Sequence, residues 1–241
     1  MSATRPLGTV IVTGGASGLG AAVAAAVAAG GGTPVVLDLD VSRATDHEAH
    51  RADVSDTRAT EALVAEIAGR HGGLDAVVTA AGVDRPSPFQ ALPGEDWERI
   101  VRVNLFGTVA AVRAALPALL ESHGRVATVA SSLALRAVGD ATAYCASKFG
   151  VVGFSRALAA ETKGRLGVTT VYPAGMNTRF FDGRDAQYKP GSDAKLIDPS
   201  DVADAVVFAG GTIFKELRPS TGRGAVDLLL GGHGAHARGR P

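Results

Sequence analysis

Thr9-Val10-Ile11-Val12-Thr13-Gly14-Gly15-Ala16-Ser17-Gly18-Leu19-Gly20 is the stretch that decides the fold. Its first five residues form a nearly continuous apolar, β-branched run, the pattern of a strand covered by helices on both faces. Spaced glycines follow, and Leu19 to Ala29 reads as an alanine-rich helix. Strand, glycine-rich turn and helix in that order form the place where an α/β sheet brings a phosphate against backbone N–H groups. Gly14 permits the tight turn, Gly18 the close approach of a pyrophosphate, and Gly20 the packing of helix on strand. No Lys-Ser/Thr pair follows the glycines, which excludes a P-loop.

The same alternation continues outward. Strand-like runs at Pro34 to Leu39, His50 to Val54, Leu74 to Thr79, Arg125 to Ala130, Val168 to Tyr172 and Ala225 to Leu230 are separated by longer stretches. Those at Thr57 to Arg70, Glu95 to Ser122, Thr142 to Gly164 and Ser200 to Ala209 are each long enough for a helix. The pattern predicts an α/β fold, a doubly wound parallel sheet (Rossmann fold) of about seven strands with helices on both faces. Neither an internal repeat nor a Pro/Ser linker is visible, so residues 1–241 read as one domain. Met176 to Pro199 lacks periodicity and reads as a lid over a ligand.

Composition narrows the function. The chain has 241 residues, 24 Lys+Arg against 24 Asp+Glu, and 46% hydrophobic residues. Such balance gives no concentrated basic surface, so nucleic acid is not an expected partner. Cys145 is the single cysteine, which excludes a disulfide framework. The apolar run Leu19 to Ala29, broken by Gly20, is far short of the about 20 residues of a membrane span, and the amino terminus has no signal pattern. A cytoplasmic protein without a membrane partner is expected.

Asp38 ends the second predicted strand, where an acidic side chain meets an adenosine ribose. A carboxylate there accepts hydrogen bonds from the 2′-OH and repels a 2′-phosphate, favouring NAD over NADP. Asp40 shares the strand parity of Asp38 and is its rival. Further on, Tyr144-Cys145-Ala146-Ser147-Lys148 places Tyr144 and Lys148 one helical turn apart on one face. An ammonium about 5 Å from a phenol, at an effective dielectric near 20, is worth roughly 3 kcal/mol, or about two pKa units. That would carry the phenol from about 10 toward about 8, where it can exchange the proton that must accompany hydride transfer at an alcohol oxygen.

These motifs resemble the short-chain dehydrogenase/reductase family. Thr-Gly-x-x-x-Gly-x-Gly at 13 to 20, Tyr-x-x-x-Lys at 144 to 148 and the order of elements match it across essentially the whole chain. Asn104, Ser131, Tyr144 and Lys148 fall at relative positions 0, 27, 40 and 44, which fit the family pattern. The resemblance implies that Tyr144 is the general acid/base and that Lys148 tunes it and holds the ribose. It also implies that Ser131 hydrogen-bonds the substrate oxygen, with Ser132 its neighbour and rival, and that Asn104 anchors a water on the proton path. It places NAD against Gly14, Ser17, Gly18, Leu19, Asp38, Asp53, Val54, Ala81, Gly82, Pro173 and Thr178, together with Tyr144 and Lys148. Two segments depart from the family: its Asn-Asn-Ala-Gly reads Thr79-Ala80-Ala81-Gly82, and its Pro-Gly reads Pro173-Ala174.

The implied activity is NAD-dependent interconversion of a secondary alcohol and its ketone, with a 3-hydroxyacyl or hydroxysteroid-type substrate among the candidates. The alternative is a non-catalytic NAD-binding sensor or scaffold of the same fold. The resemblance also implies a homo-oligomer, a tetramer or dimer, formed through Glu95 to Ser122 and Thr142 to Gly164 with Val151, Val152, Phe154 and Leu158 as the apolar faces. Cys145 reads as an apolar filler, and Trp97 as helix packing. His47-x-x-His50 and His233-x-x-His236 lack a third ligand for a metal, and the tail Ala237 to Pro241 reads as loose.

Overall fold

Parallel β-branched strands dictate the architecture. The structure is a computed structural model and describes residues 7–208 and 225–230. Its elements are β1 (Thr9–Thr13), α1 (Gly18–Ala29), β2 (Thr33–Asp38), β3 (Glu48–Arg51), α2 (Thr57–Arg70), β4 (Ala76–Thr79), α3 (Gly94–Val101), α4 (Gly107–Glu121), β5 (Arg125–Val129), α5 (Thr142–Thr162), β6 (Gly167–Pro173), α6 (Pro199–Phe208) and β7 (Ala225–Leu230). The strands β1 to β6 carry the sheet from its β3 edge to the strand flanking the site, and β7 continues it beyond β6, in the order β3-β2-β1-β4-β5-β6-β7. Every pairing is parallel. The chain winds outward from β1 in both directions, so a crevice opens at the strand carboxyl ends between β1 and β4.

Alternation along β1 buries both faces. Val10 and Val12 pack with Leu19, Val23 and Val27 of α1 and Val202 and Val206 of α6. Ile11 packs on the opposite face with Val64 and Ile67 of α2 and Ala111, Ala115 and Leu119 of α4.

Four expectations need correction. The third strand lies at Glu48–Arg51 rather than 50–54, because it is an edge strand paired only with β2 and carries polar residues. The helix expected over 95–122 runs from Gly94 to Glu121 but is interrupted by a π-type turn at Arg102–Phe106. The whole helical span Gly94–Glu121, π-type turn included, is long and apolar enough to cross a membrane by length and composition, unlike the shorter Leu19 to Ala29 run, and half of its most apolar window is buried within the chain. Finally, Val151, Val152 and Leu158 do not face outward. Val151 and Val152 pack on Ala130, Ala134 and Tyr172, and Leu158 sits in the core against the sheet. The exposed aromatics on these helices are instead Phe106 and Phe149. His233, His236, Ala209 and the tail 237–241 lie outside the described residues.

The turn after β1 explains its glycines. Gly14 adopts φ 68°, and a Cβ there would lie 2.7 Å from the Ala81 backbone. A Cβ on Gly20 would lie 2.1 Å from the Gly14 carbonyl oxygen. Ordinarily a helical Gly→Ala substitution adds up to about 1 kcal/mol. Gly20→Ala is therefore expected to lose about 2 kcal/mol or more by overpacking, whereas Gly69→Ala, with open space around its position in α2, should gain about 0.5–1 kcal/mol. Urea unfolding of the two variants checks the contrast.

Candidate active site

The carboxyl ends of the central strands open into one cavity of about 530 Å³. Gly14, Ser17, Gly18 and Leu19 line it from the turn between β1 and α1. Asp38 lines it from the end of β2, Asp53 and Val54 from the loop after β3, and Ala81 and Gly82 from the loop after β4. Ser131, Tyr144, Lys148, Pro173 and Thr178 complete the same wall. The fold thus gathers every predicted site residue except Asn104 on one cavity.

Asp38 and Asp40 separate clearly. The Asp38 carboxylate accepts the Ala16 N–H at 3.0 Å and the Asp40 N–H at 3.3 Å, tying the end of β2 to the glycine turn. Asp40 is exposed, off the cavity wall, and accepts the Ser42 N–H at 3.0 Å. Asp53 accepts from the Ser55 hydroxyl and N–H at 2.7 and 2.9 Å, which hold its carboxyl below the usual range. The segment after β4 is braced by the Ala81 N–H, which donates to the Thr13 hydroxyl at 3.3 Å.

Tyr144 and Lys148 do share a face of α5, with Nζ 5.8 Å from the phenol ring centroid. Yet the expected acid shift is reversed. Burial pushes the Tyr144 phenol up to about 12, against the opposing hydrogen bond from Ser131. Asp84 raises it further, and Arg184 lowers it. Burial likewise pushes Lys148 down to about 8, opposed by Asp84. The pairwise attraction between ammonium and phenol is outweighed by the desolvation of both groups, which dominates here. Lys148 also commits its ammonium to the Val129 carbonyl, donating at 2.8 Å. Ser131, buried and bonded to Tyr144, accepts the Leu133 N–H at 3.1 Å. This singles it out over Ser132, although both line the cavity.

Asn104 is the one predicted site residue off the cavity wall. It lies on the π-type turn, fully buried and off the cavity wall. Its Oδ1 accepts the Val83 N–H at 2.8 Å, while Nδ2 donates to the Val83 carbonyl at 2.9 Å and to the Ser147 hydroxyl at 3.0 Å. Ser147 in turn donates to the Tyr144 carbonyl at 2.7 Å. The side chain therefore clamps the loop after β4 to the helix that carries Tyr144.

The segment 176–199 is tied together at its stem. The Ile197 N–H donates to Gly175 at 3.0 Å, and the Asn177 N–H to Ile197 at 2.9 Å. Within that segment, Arg184 lines the cavity and pairs with Asp84 at 3.1 Å, whereas Lys189 and Lys195 are exposed. Asp84 escaped the sequence reading. Its position two residues after Gly82, at the carboxyl end of a central strand, was the available signal. Trp97 donates its Nε1–H to the Thr142 hydroxyl at 3.2 Å and packs with the cluster that buries Cys145. His50 pairs with Glu48 at 2.8 Å.

Residues 8–189 match the short chain dehydrogenase family. Over 219 residues the chain is 38% identical to D-threitol dehydrogenase of Mycolicibacterium smegmatis, covering 82% of this chain and 84% of that protein. Over 164 residues it is 37% identical to 2-dehydro-3-deoxy-L-rhamnonate dehydrogenase (NAD(+)) of a Sphingomonas species, covering 64% and 66%. Its backbone superposes on ligand-free aldohexose dehydrogenase of Thermoplasma acidophilum with a TM-score of 0.82 at 25% identity, covering 92% and 91% of the two chains.

The buried ammonium predicts a pH effect on stability. Below the folded value of about 8, both states of Lys148 are protonated and its burial cost is present in full. From there to the unfolded value of about 10.4 the unfolded chain holds the extra proton, so stability rises with pH by on the order of 3 kcal/mol. The raised phenol of Tyr144 acts in the opposite sense only above about pH 10. Urea unfolding at about pH 8 and about pH 10 should therefore show a rise in the wild type that Lys148→Met loses, and an equal rise in both would contradict the assignment.

Proposed function

The chain belongs to the short-chain dehydrogenase family of oxidoreductases, and from that premise we propose that it interconverts a secondary alcohol and its ketone with NAD. One observation carries the reading: Ser131, Tyr144 and Lys148 converge on the cavity that the glycine turn also lines.

The residues present fit a dinucleotide. A Cβ on Gly82 would stand 3.4 Å from Asn104 Oδ1 and 3.6 Å from Lys148 Nζ, so the bare backbone keeps that corner open. The turn after β1 presents glycine backbone at a helix amino terminus, which suits a pyrophosphate. Asp38 lies where a ribose 2′-OH would find an acceptor and a 2′-phosphate would find repulsion, which supports NAD over NADP. A relative whose name specifies NAD(+) supports the same choice.

Bound there, NAD supplies the acceptor for the hydride, the hydrogen and two electrons that leave the carbinol carbon. Tyr144 handles the accompanying proton, giving it to the ketone oxygen in reduction and taking it from the hydroxyl in oxidation. A phenol near 12 is fully protonated at neutral pH, so the protein alone holds Tyr144 ready as the acid. Ser131, hydrogen-bonded to the phenol, is placed to share the substrate oxygen. Lys148 fixes the charge behind the phenol through Val129. Asn104 acts through Ser147 and is a positioning residue. The exposed Phe106 and Phe149 on neighbouring helical segments support a homo-oligomer, dimer or tetramer, assembled through that face.

Removing only the phenol oxygen with Tyr144→Phe should lower turnover ~10²–10⁴-fold while NAD affinity, measured by fluorescence titration, stays unchanged; retained turnover would end the acid/base role. Asp38→Ala should lower the ratio of kcat/KM for NAD over NADP by about tenfold or more as the repulsive element is lost, and an unmoved ratio would discard the ribose assignment.

A further inference from the structure

One polar pair in the cavity bears on the Tyr144 phenol through its charges but has no step of its own in the chemistry above. Asp84 leaves the sheet just after Gly82, Arg184 comes from the lid, and the two meet at 3.1 Å with side chains only 6% and 11% exposed. Phe180 and Phe181 hold the guanidinium by their ring faces at 4.7 and 4.8 Å. Phe180 lies 5.8 Å from the Tyr144 ring, so the pair stands beside the reacting centre.

Burying an ion pair is offset only when its remaining polar atoms are hydrogen-bonded. Here they are not. Asp84 Oδ1 and Arg184 Nε have no hydrogen-bond partner of normal geometry among the described residues. Burial accordingly raises the Asp84 carboxyl despite the opposing pull of Arg184, the Arg85 N–H and Lys148. A half-satisfied buried network costs more than an apolar wall, so the geometry calls for an occupant that offers one donor and one acceptor.

Candidate substrates differ on this point. A steroid or acyl chain presents hydrocarbon and leaves both atoms dry. A carboxylate satisfies the arginine but sets a second negative charge against Asp84 Oδ1. Hydroxyl groups donate and accept alike.

We infer that Asp84 and Arg184, which both line the cavity, form a subsite for the non-reacting part of a small neutral polyol, with one hydroxyl donating to the Asp84 carboxylate and its neighbour accepting from the Arg184 guanidinium. The inference rests on the dehydrogenase reading for which carbon reacts. It goes beyond that reading in naming the substrate class and the residues that select it.

The test uses threitol, erythritol, butan-2-ol and 3-hydroxybutyrate as substrates for the wild type and for the double variant Asp84→Ala/Arg184→Met, which strands neither charge. The tetritols should be preferred by the wild type, and the variant should lose ~10- to 100-fold more kcat/KM on them than on butan-2-ol, chiefly through KM. Equal losses on all alcohols would mean that the pair merely fastens the lid. A wild-type preference for 3-hydroxybutyrate would mean an anion subsite. Either result overturns the inference. Calorimetric titration of threitol separates it from the catalytic reading. If the wild type oxidises no alcohol, that reading fails, while threitol binding that the double variant abolishes upholds the subsite. Absent or unchanged threitol binding overturns the subsite whatever the turnover.

Discussion

The approach of α1 to the turn after β1 is the contact on which the rest of the molecule depends. Gly20 stands against the Gly14 carbonyl, and Gly14 against the Ala81 backbone, at distances where a side chain would collide. These contacts pull three segments together at the carboxyl end of the sheet: the first turn, the start of the first helix and the loop after β4. The cavity exists because they meet without side chains between them. Asp38 adds a second tie by accepting the Ala16 N–H, so the end of β2 is held to the same turn.

Enclosure then sets the chemistry of whatever faces the cavity. Tyr144 and Lys148 are close enough to interact, yet each is pushed toward its neutral form because water has been removed from both. The hydrogen bond from Ser131 and the charge of Arg184 oppose the rise of the phenol without cancelling it. In this environment the phenol is an acid held in reserve, and its proton affinity answers to the charges placed around it. Asp84 and Arg184 are among those charges, which couples the 176–199 segment to the proton affinity of Tyr144.

Asn104 shows how a buried amide braces a cavity that it does not line. Its spacing to Ser131, Tyr144 and Lys148 fits the family, but its amide is spent on Val83 and Ser147. The π-type turn that carries it places the residue in the interior. From there it sets the distance between the loop bearing Asp84 and the helix bearing Tyr144.

The fold and most of the site were legible in local pattern. Apolar runs of strand length, glycines at fixed spacing and a tyrosine one turn from a lysine each reflect short-range constraints, which leave their mark in consecutive residues. The family relation rests on the same local motifs. Other features depended on distant segments meeting. Nothing near Asp84 in the chain announces Arg184, which lies 100 residues away. Nor could spacing reveal that Val151 and Leu158 turn toward the core. Local sequence encodes which element forms and which groups it carries. Only the packed chain decides which of those groups lose their water, and that loss sets their charge, their partners and their use.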